Sequence, residues 1–128
     1  MRKAEFGFTG TDLRDRLVAA ILRGDKTSTS SLLSDYEQEG EALPEVGERM
    51  VVVDNDERPV AVIETTEVRV IRIRDVDLAF AVEEGEGFES VEDWRAAHER
   101  FWNAYAGPVG DETLMVAERF RLVERLDQ

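Results

Sequence analysis

Two runs of β-branched residues on either side of a strong turn cluster constrain this chain more than any other feature. Arg49–Val53 and residues 60–73 are separated by Asp54-Asn55-Asp56-Glu57-Arg58-Pro59, so they read as the two arms of a hairpin. In the second arm Val68, Val70 and Arg72 share one face, while Arg69, Ile71 and Ile73 share the other. Apolar residues on both faces imply a sheet that is partly covered on both sides. Over residues 113–124, Leu114, Val116, Glu118, Phe120 and Leu122 alternate with Met115, Ala117, Arg119, Arg121 and Val123, which predicts a last long strand.

Helical periodicity fills most of the rest. In Asp12–Arg23, Leu13, Leu17, Ala20 and Ile21 form one stripe, with Thr11 as the N-cap, Asp12 in the first turn and Gly24 as a left-handed end. Residues 25–31, Asp-Lys-Thr-Ser-Thr-Ser-Ser, read as an ordered loop, and residues 32–39 as a short helix. Another short helix over residues 75–82 leads into a glycine-punctuated acidic loop, Glu83-Glu84-Gly85-Glu86-Gly87-Phe88-Glu89. Ser90 and Asp93 offer a capping box for a helix carrying Val91, Trp94, His98, Phe101, Trp102 and Tyr105, which Gly107-Pro108 ends. Core packing is expected of Trp94, Phe101 and Tyr105, and a hydrogen-bonded packing role of His98. Helix, strands, helices and a final strand make an α+β chain, best accommodated as one domain over residues 1–128: a small, mostly antiparallel barrel with flanking helices.

Composition bounds the chemistry. The 128 residues are 42% hydrophobic, enough for a core, and carry a formal charge of −13. So acidic a surface repels phosphate backbones and argues against duplex DNA as a partner. The chain has no cysteine and one histidine, which removes disulfides, thiol nucleophiles and thiolate zinc sites and disfavours a histidine metal centre. No metal and no cofactor is therefore expected. No apolar run approaches the roughly 18 residues of a membrane span, and Met1-Arg2-Lys3-Ala4-Glu5-Phe6 lacks a signal-peptide core. A cytoplasmic protein with no membrane partner is expected.

Gly24-Asp25-Lys26-Thr27-Ser28-Thr29 resembles the G-x-K-x-x-T opening of the G-x-K-x-x-T-x-R signature of the ASCH family. The likeness continues through Leu32-Leu33, Tyr36-Glu37, Leu43-Pro44, Val46-Gly47, the run from Arg58 to Val68, Glu84-Gly85-Glu86-Gly87, and Trp94-Arg95 with His98 and Phe101, over about residues 8 to 124. One departure is that Ser31 stands where the signature closes on arginine. The resemblance implies a PUA-like β-barrel and an association with RNA. One bacterial branch is similar to an amidohydrolase that deacetylates N(4)-acetylcytidine, and another to a ribonuclease of single-stranded RNA. Matched by motif position, the amidohydrolase's lysine, threonine and glutamate fall on Lys26, Thr29 and Glu86, with Thr27, Ser31 and Arg95 as candidate substrate contacts.

The residues themselves are compatible with such work under stated conditions. A threonine hydroxyl needs an adjacent base, and a lysine amine can serve where its surroundings favour the neutral form. Of 16 basic residues only Lys3 and Lys26 are lysine, so a lysine here points to a titratable amine where arginine would not serve. In a straight strand positions 26 and 29 face opposite ways, so a turn or bulge must bring them together. The structural alternative places Lys26 against a helix C-terminus with Asp25 as its carboxylate. Likewise, Glu86 belongs to a charge run of the kind that usually forms a solvated face, and Arg72 and Arg74 are expected in salt bridges. Three functions follow: hydrolysis of a small N-acylated nucleoside, non-catalytic binding of short single-stranded RNA, or its cleavage. The charge favours the small substrate.

Overall fold

The computed structural model describes residues 1–126. Its strands, β1 (Lys3–Ala4), β2 (Ser28–Leu32), β3 (Arg49–Val53), β4 (Pro59–Arg72) and β5 (Leu114–Arg125), form one sheet in the order β1-β3-β4-β5-β2. β1 runs parallel to β3 and the other pairs are antiparallel. The β3–β4 hairpin is the one expected, with Asp54 accepting backbone N–H bonds from Asp56 and Arg58 at 2.8 and 2.9 Å to close the turn. Register shifts between Val62 and Ile63 and between Thr65 and Glu67 interrupt the β4–β5 ladder. Such irregularities bend and twist a strand, and the sheet curls into a half-barrel with β1 and β2 as its edges, in keeping with the small, mostly antiparallel α+β barrel expected.

Among the described residues four α-helices flank the sheet: α1 (Asp12–Arg23), α2 (Leu33–Glu39), α3 (Leu78–Glu83) and α4 (Val91–Tyr105). α1 has the predicted bounds and caps: Thr11 accepts from the Arg14 N–H, and Gly24 at φ +84° returns its own N–H to the Ile21 carbonyl. α4 starts on Ser90, whose hydroxyl accepts from the Asp93 N–H at 3.1 Å. The helix expected over residues 75–82 starts later, as α3: a 3-10 turn, Ile73–Asp75, precedes it, and Asp77 caps the Phe80 N–H at its start.

The sheet is covered on both sides. On its inner face Phe6, Leu17, Ile21, Met50, Ile63 and Phe120 form one core with α1; on its outer face Leu32, Phe80, Trp94, Trp102, Met115 and Ala117 form a second with α3 and α4. Each buried indole removes roughly 200 Å² from water, worth about 5 kcal/mol of transfer free energy. Trp94 and Trp102 occupy the expected stripe, but Phe101 is only half-buried and Tyr105 is 43% exposed. Those two rings meet Phe8 at the molecular surface, with centroids 5.3–5.5 Å apart. Among the described residues, no helix is long and apolar enough to cross a membrane.

Candidate active site

The segment after α1 is a strand from Ser28 onward, where a loop was expected. Its five residues pair in register with β5, Ser28 opposite Arg119 through Leu32 opposite Met115, so a non-local ladder supplies the order that a hydroxyl-rich sequence does not announce. Alternation then divides its side chains. Ser28 and Ser30 face the outer core: Ser28 donates to the Phe80 carbonyl at 2.9 Å and Ser30 to Glu84 Oε2 at 2.6 Å. Thr29 and Ser31 face the other way.

Lys26 precedes the strand and is 2% exposed. Its Nζ lies 2.7 Å from the Ser28 carbonyl, 3.3 Å from the Glu84 carbonyl and 3.4 Å from Glu84 Oε1. Three acceptors match the three donors of an ammonium, and Phe6 adds a ring face 5.7 Å away. Asp25, offered as its carboxylate by the structural alternative, instead pairs with Arg23. The partner is Glu84, also 2% exposed, although the acidic run around it reads as a solvated face. A second carboxylate oxygen of Glu84 accepts from Ser30 and from Trp94 Nε1, both at 2.6 Å, and meets His98 Nε2 at 3.3 Å.

Gly85 makes this contact possible. It holds φ +74°, and a Cβ there would sit 2.7 Å from the Asp25 carbonyl oxygen and 2.8 Å from Lys26 Cα. Only glycine lets the α3–α4 loop press against the α1–β2 loop, which sets Glu84 beside Lys26. The electrostatics follow from that proximity. Burial alone would raise the Glu84 carboxyl, but Lys26, His98 and Ser30 outweigh it and hold the group at about 2. Burial opposes the charged form of His98, yet Glu84 overcomes it and raises the imidazole. His98 also has Nδ1 2.9 Å from the Trp94 carbonyl, so both nitrogens have acceptors and the imidazolium fits. Glu86 is raised, first by loss of water around it and then by the charge of Glu84.

Lys26, Thr29, Ser31 and Glu86 line one large cleft, together with Ser30, Glu84, His98 and Glu118. Its volume is about 1310 Å³. Thr29 has no hydrogen-bond partner for its hydroxyl among the described residues. Thr27 is not among the lining residues; its backbone ties the Glu83 carbonyl and the Phe120 N–H at 2.8 and 3.0 Å. Arg95 lies in a separate depression beside Ile73, Arg74 and Glu92, paired with Glu99 and, at 2.8 Å, with Asp111. Arg72 and Arg74 both pair with Glu112, as expected.

Sequence reasoning passed over Glu84 and Glu118. The former carries a signal, since it precedes the glycine that must approach Lys26; the latter shows only as an acid on an otherwise apolar strand face. Glu84, Glu86 and His98 bring three donor atoms within 4.8 Å of one another, a spacing able to hold a metal ion. The Lys26 ammonium shares Glu84 and sets a positive charge against any cation there.

An ASCH domain family model matches residues 4–124. A crystal structure of a protein from Enterococcus faecalis V583 superposes with a TM-score of 0.86 at 29% identity, covering 98% of this chain and 77% of that one. The ASCH domain from Lactobacillus crispatus JV V101 superposes with a TM-score of 0.76 at 34% identity, covering 84% of this chain and 70% of that one. Among curated proteins none matches.

Proposed function

This chain belongs to the ASCH domain family, and from that premise we propose that its cleft hydrolyses the acyl amide of a small N-acylated nucleoside, N(4)-acetylcytidine being the reference substrate. The observation that supports this reading is the open hydroxyl of Thr29, in a cleft whose wall carries the fixed Lys26–Glu84 ion pair. Thr29 attacks the acyl carbon, a threonyl ester forms, and water releases the acid. Lys26, held by three acceptors, contributes a preorganised positive charge toward the oxyanion of the tetrahedral intermediate. Glu86, raised toward its neutral form, orients the amide. The matched glutamate is reassigned in part: Glu84 is the carboxylate that fixes Lys26, and Glu86 is the one at the cleft surface.

A small substrate also suits the charge of −13, because a nucleoside has no phosphate backbone to repel. Acetate release from N(4)-acetylcytidine by purified protein tests the proposal. Wild type should turn over and Thr29→Ala should not, at unchanged melting temperature; an inert wild type would contradict it.

A second reading draws on Phe8 and Tyr105, exposed aromatic rings in the lining of the same cleft. Such rings stack bases of a short single strand. Salt-sensitive oligonucleotide binding that survives Thr29→Ala, with no acetate released, would favour it; shortened oligonucleotides would mark cleavage instead.

A further inference from the structure

The lysine amine expected to take the Thr29 proton is instead tied to Ser28 and Glu84, and the register of the sheet supplies another acceptor. Thr29 is paired directly with Glu118 across the β2–β5 ladder. Opposed residues of an antiparallel pair point to the same face with Cβ atoms roughly 5 Å apart, within reach of a glutamate carboxylate and a threonine hydroxyl. Both residues line the cleft. By contrast Glu84 meets Ser30, on the opposite face of β2, and Lys26 Nζ is already engaged by the Ser28 and Glu84 carbonyls and by Glu84 Oε1.

Glu118 is difficult to explain as a packing residue. It is 5% exposed on the strand face that also carries Val116 and Phe120, both buried, where an apolar side chain would avoid the cost of burying a carboxylate. One oxygen, Oε2, accepts from the Thr65 hydroxyl at 2.9 Å. The other accepts no protein hydrogen bond among the described residues. Burial raises its protonation range, opposed by the Thr65 bond, a direction that makes the carboxylate a better proton acceptor than an exposed one. The charged groups facing it are Lys26 and Arg2, the Glu48 carboxylate and the Tyr36 phenol.

We infer that Glu118 is the acid–base partner of Thr29, a role that rests on the amidohydrolase reading above. Glu118 takes the Oγ1 proton as Oγ1 bonds to the acyl carbon, and passes it to the departing amine as the carbon–nitrogen bond breaks. A water then gives its proton to Glu118 while attacking the ester; the carboxylate product leaves and Thr29 regains a proton. Thr65 is a positioning residue that orients the carboxylate.

Glu118→Gln tests this with little disturbance of the fold, because the Gln amide oxygen still accepts from Thr65. Two reactions are followed: hydrolysis of N(4)-acetylcytidine, and the burst of nitrophenolate as p-nitrophenyl acetate acylates Thr29. We expect Glu118→Gln to lower kcat at least about 100-fold with little change in KM, to abolish the acid limb of the pH–rate profile, and to slow the burst by a similar factor. Glu118→Asp should recover part of both. A Glu118→Gln protein that acylates Thr29 at the wild-type rate overturns the inference and leaves the amidohydrolase reading intact. A wild type inert on acetylcytidine but giving a Glu118-dependent burst supports Glu118 and overturns the substrate. No reaction of either kind in wild type overturns both.

Discussion

The two faces of β2 carry hydroxyls in opposite states. On the outer face Ser28 and Ser30 are bonded to Phe80 and Glu84, beside a lysine whose donors are all engaged and a glutamate that meets Lys26, Ser30, Trp94 and His98. On the inner face Thr29 is open, opposite a carboxylate with one oxygen unused among the described residues. A buried polar group whose partners are complete resists rearrangement, whereas one with spare capacity can accept a ligand or a proton. On the proposed function the outer face is the frame and the inner face the reactive side, with Lys26 at their junction.

The largest expected effect tests the frame. Lys26→Ala leaves Glu84 without the ammonium beside it, and removing one member of a buried pair costs about 3–5 kcal/mol. Chemical denaturation should show that loss, while Thr29→Val, which breaks no bond in the described residues, should shift stability by less than about 1 kcal/mol and still abolish turnover. Equal destabilisation by both variants would erase the distinction between the faces. Next in size is Gly85→Ala, which combines a left-handed backbone with a 2.7 Å approach to Asp25; a loss of about 2 kcal/mol is expected, with weaker protection of the α1–β2 loop in hydrogen exchange.

A smaller effect comes from pH. Glu84 is held at about 2 against an ordinary value of 4.5, so its stabilising contribution is present above 4.5 and is lost as pH falls toward 2. His98 is raised above 6.5, so its contribution is present below that value and fades as pH climbs through the raised range. Melting temperatures should fall on both sides, and His98→Gln should remove the alkaline dependence due to this residue. Least of all, Arg95→Ala, on the far depression and partly exposed, should change neither turnover nor stability by more than about 1 kcal/mol.

What could be read in the sequence was local. Thr11, Gly24 and Ser90 announce helix ends because the cap residue and the group it satisfies lie within a turn of each other. The β3–β4 hairpin is legible for the same reason. β2 is not, since nothing in Ser-Thr-Ser-Ser-Leu alternates between apolar and polar; its order comes from β5, which follows far along the chain. Glu84 was likewise hidden among neighbouring acids, because the lysine that draws it inside stands 58 residues earlier. Phe101 and Tyr105 follow helical spacing yet remain partly exposed: Phe101 packs against the outer core from its edge, and both rings meet Phe8 at the surface. In the cleft, motif position pointed to Lys26 and Thr29, and both line it, whereas the division of β2 into two faces required the register with β5.

The most direct measurement is the location of the acyl group after wild-type protein reacts with p-nitrophenyl acetate and is digested for peptide mass analysis. An open Thr29 and a fully engaged Lys26 require the adduct on Thr29, with Lys26 unmodified while the protein is folded. An adduct on Lys26, with Thr29 untouched, would contradict the assignment of one face as frame and the other as reactive.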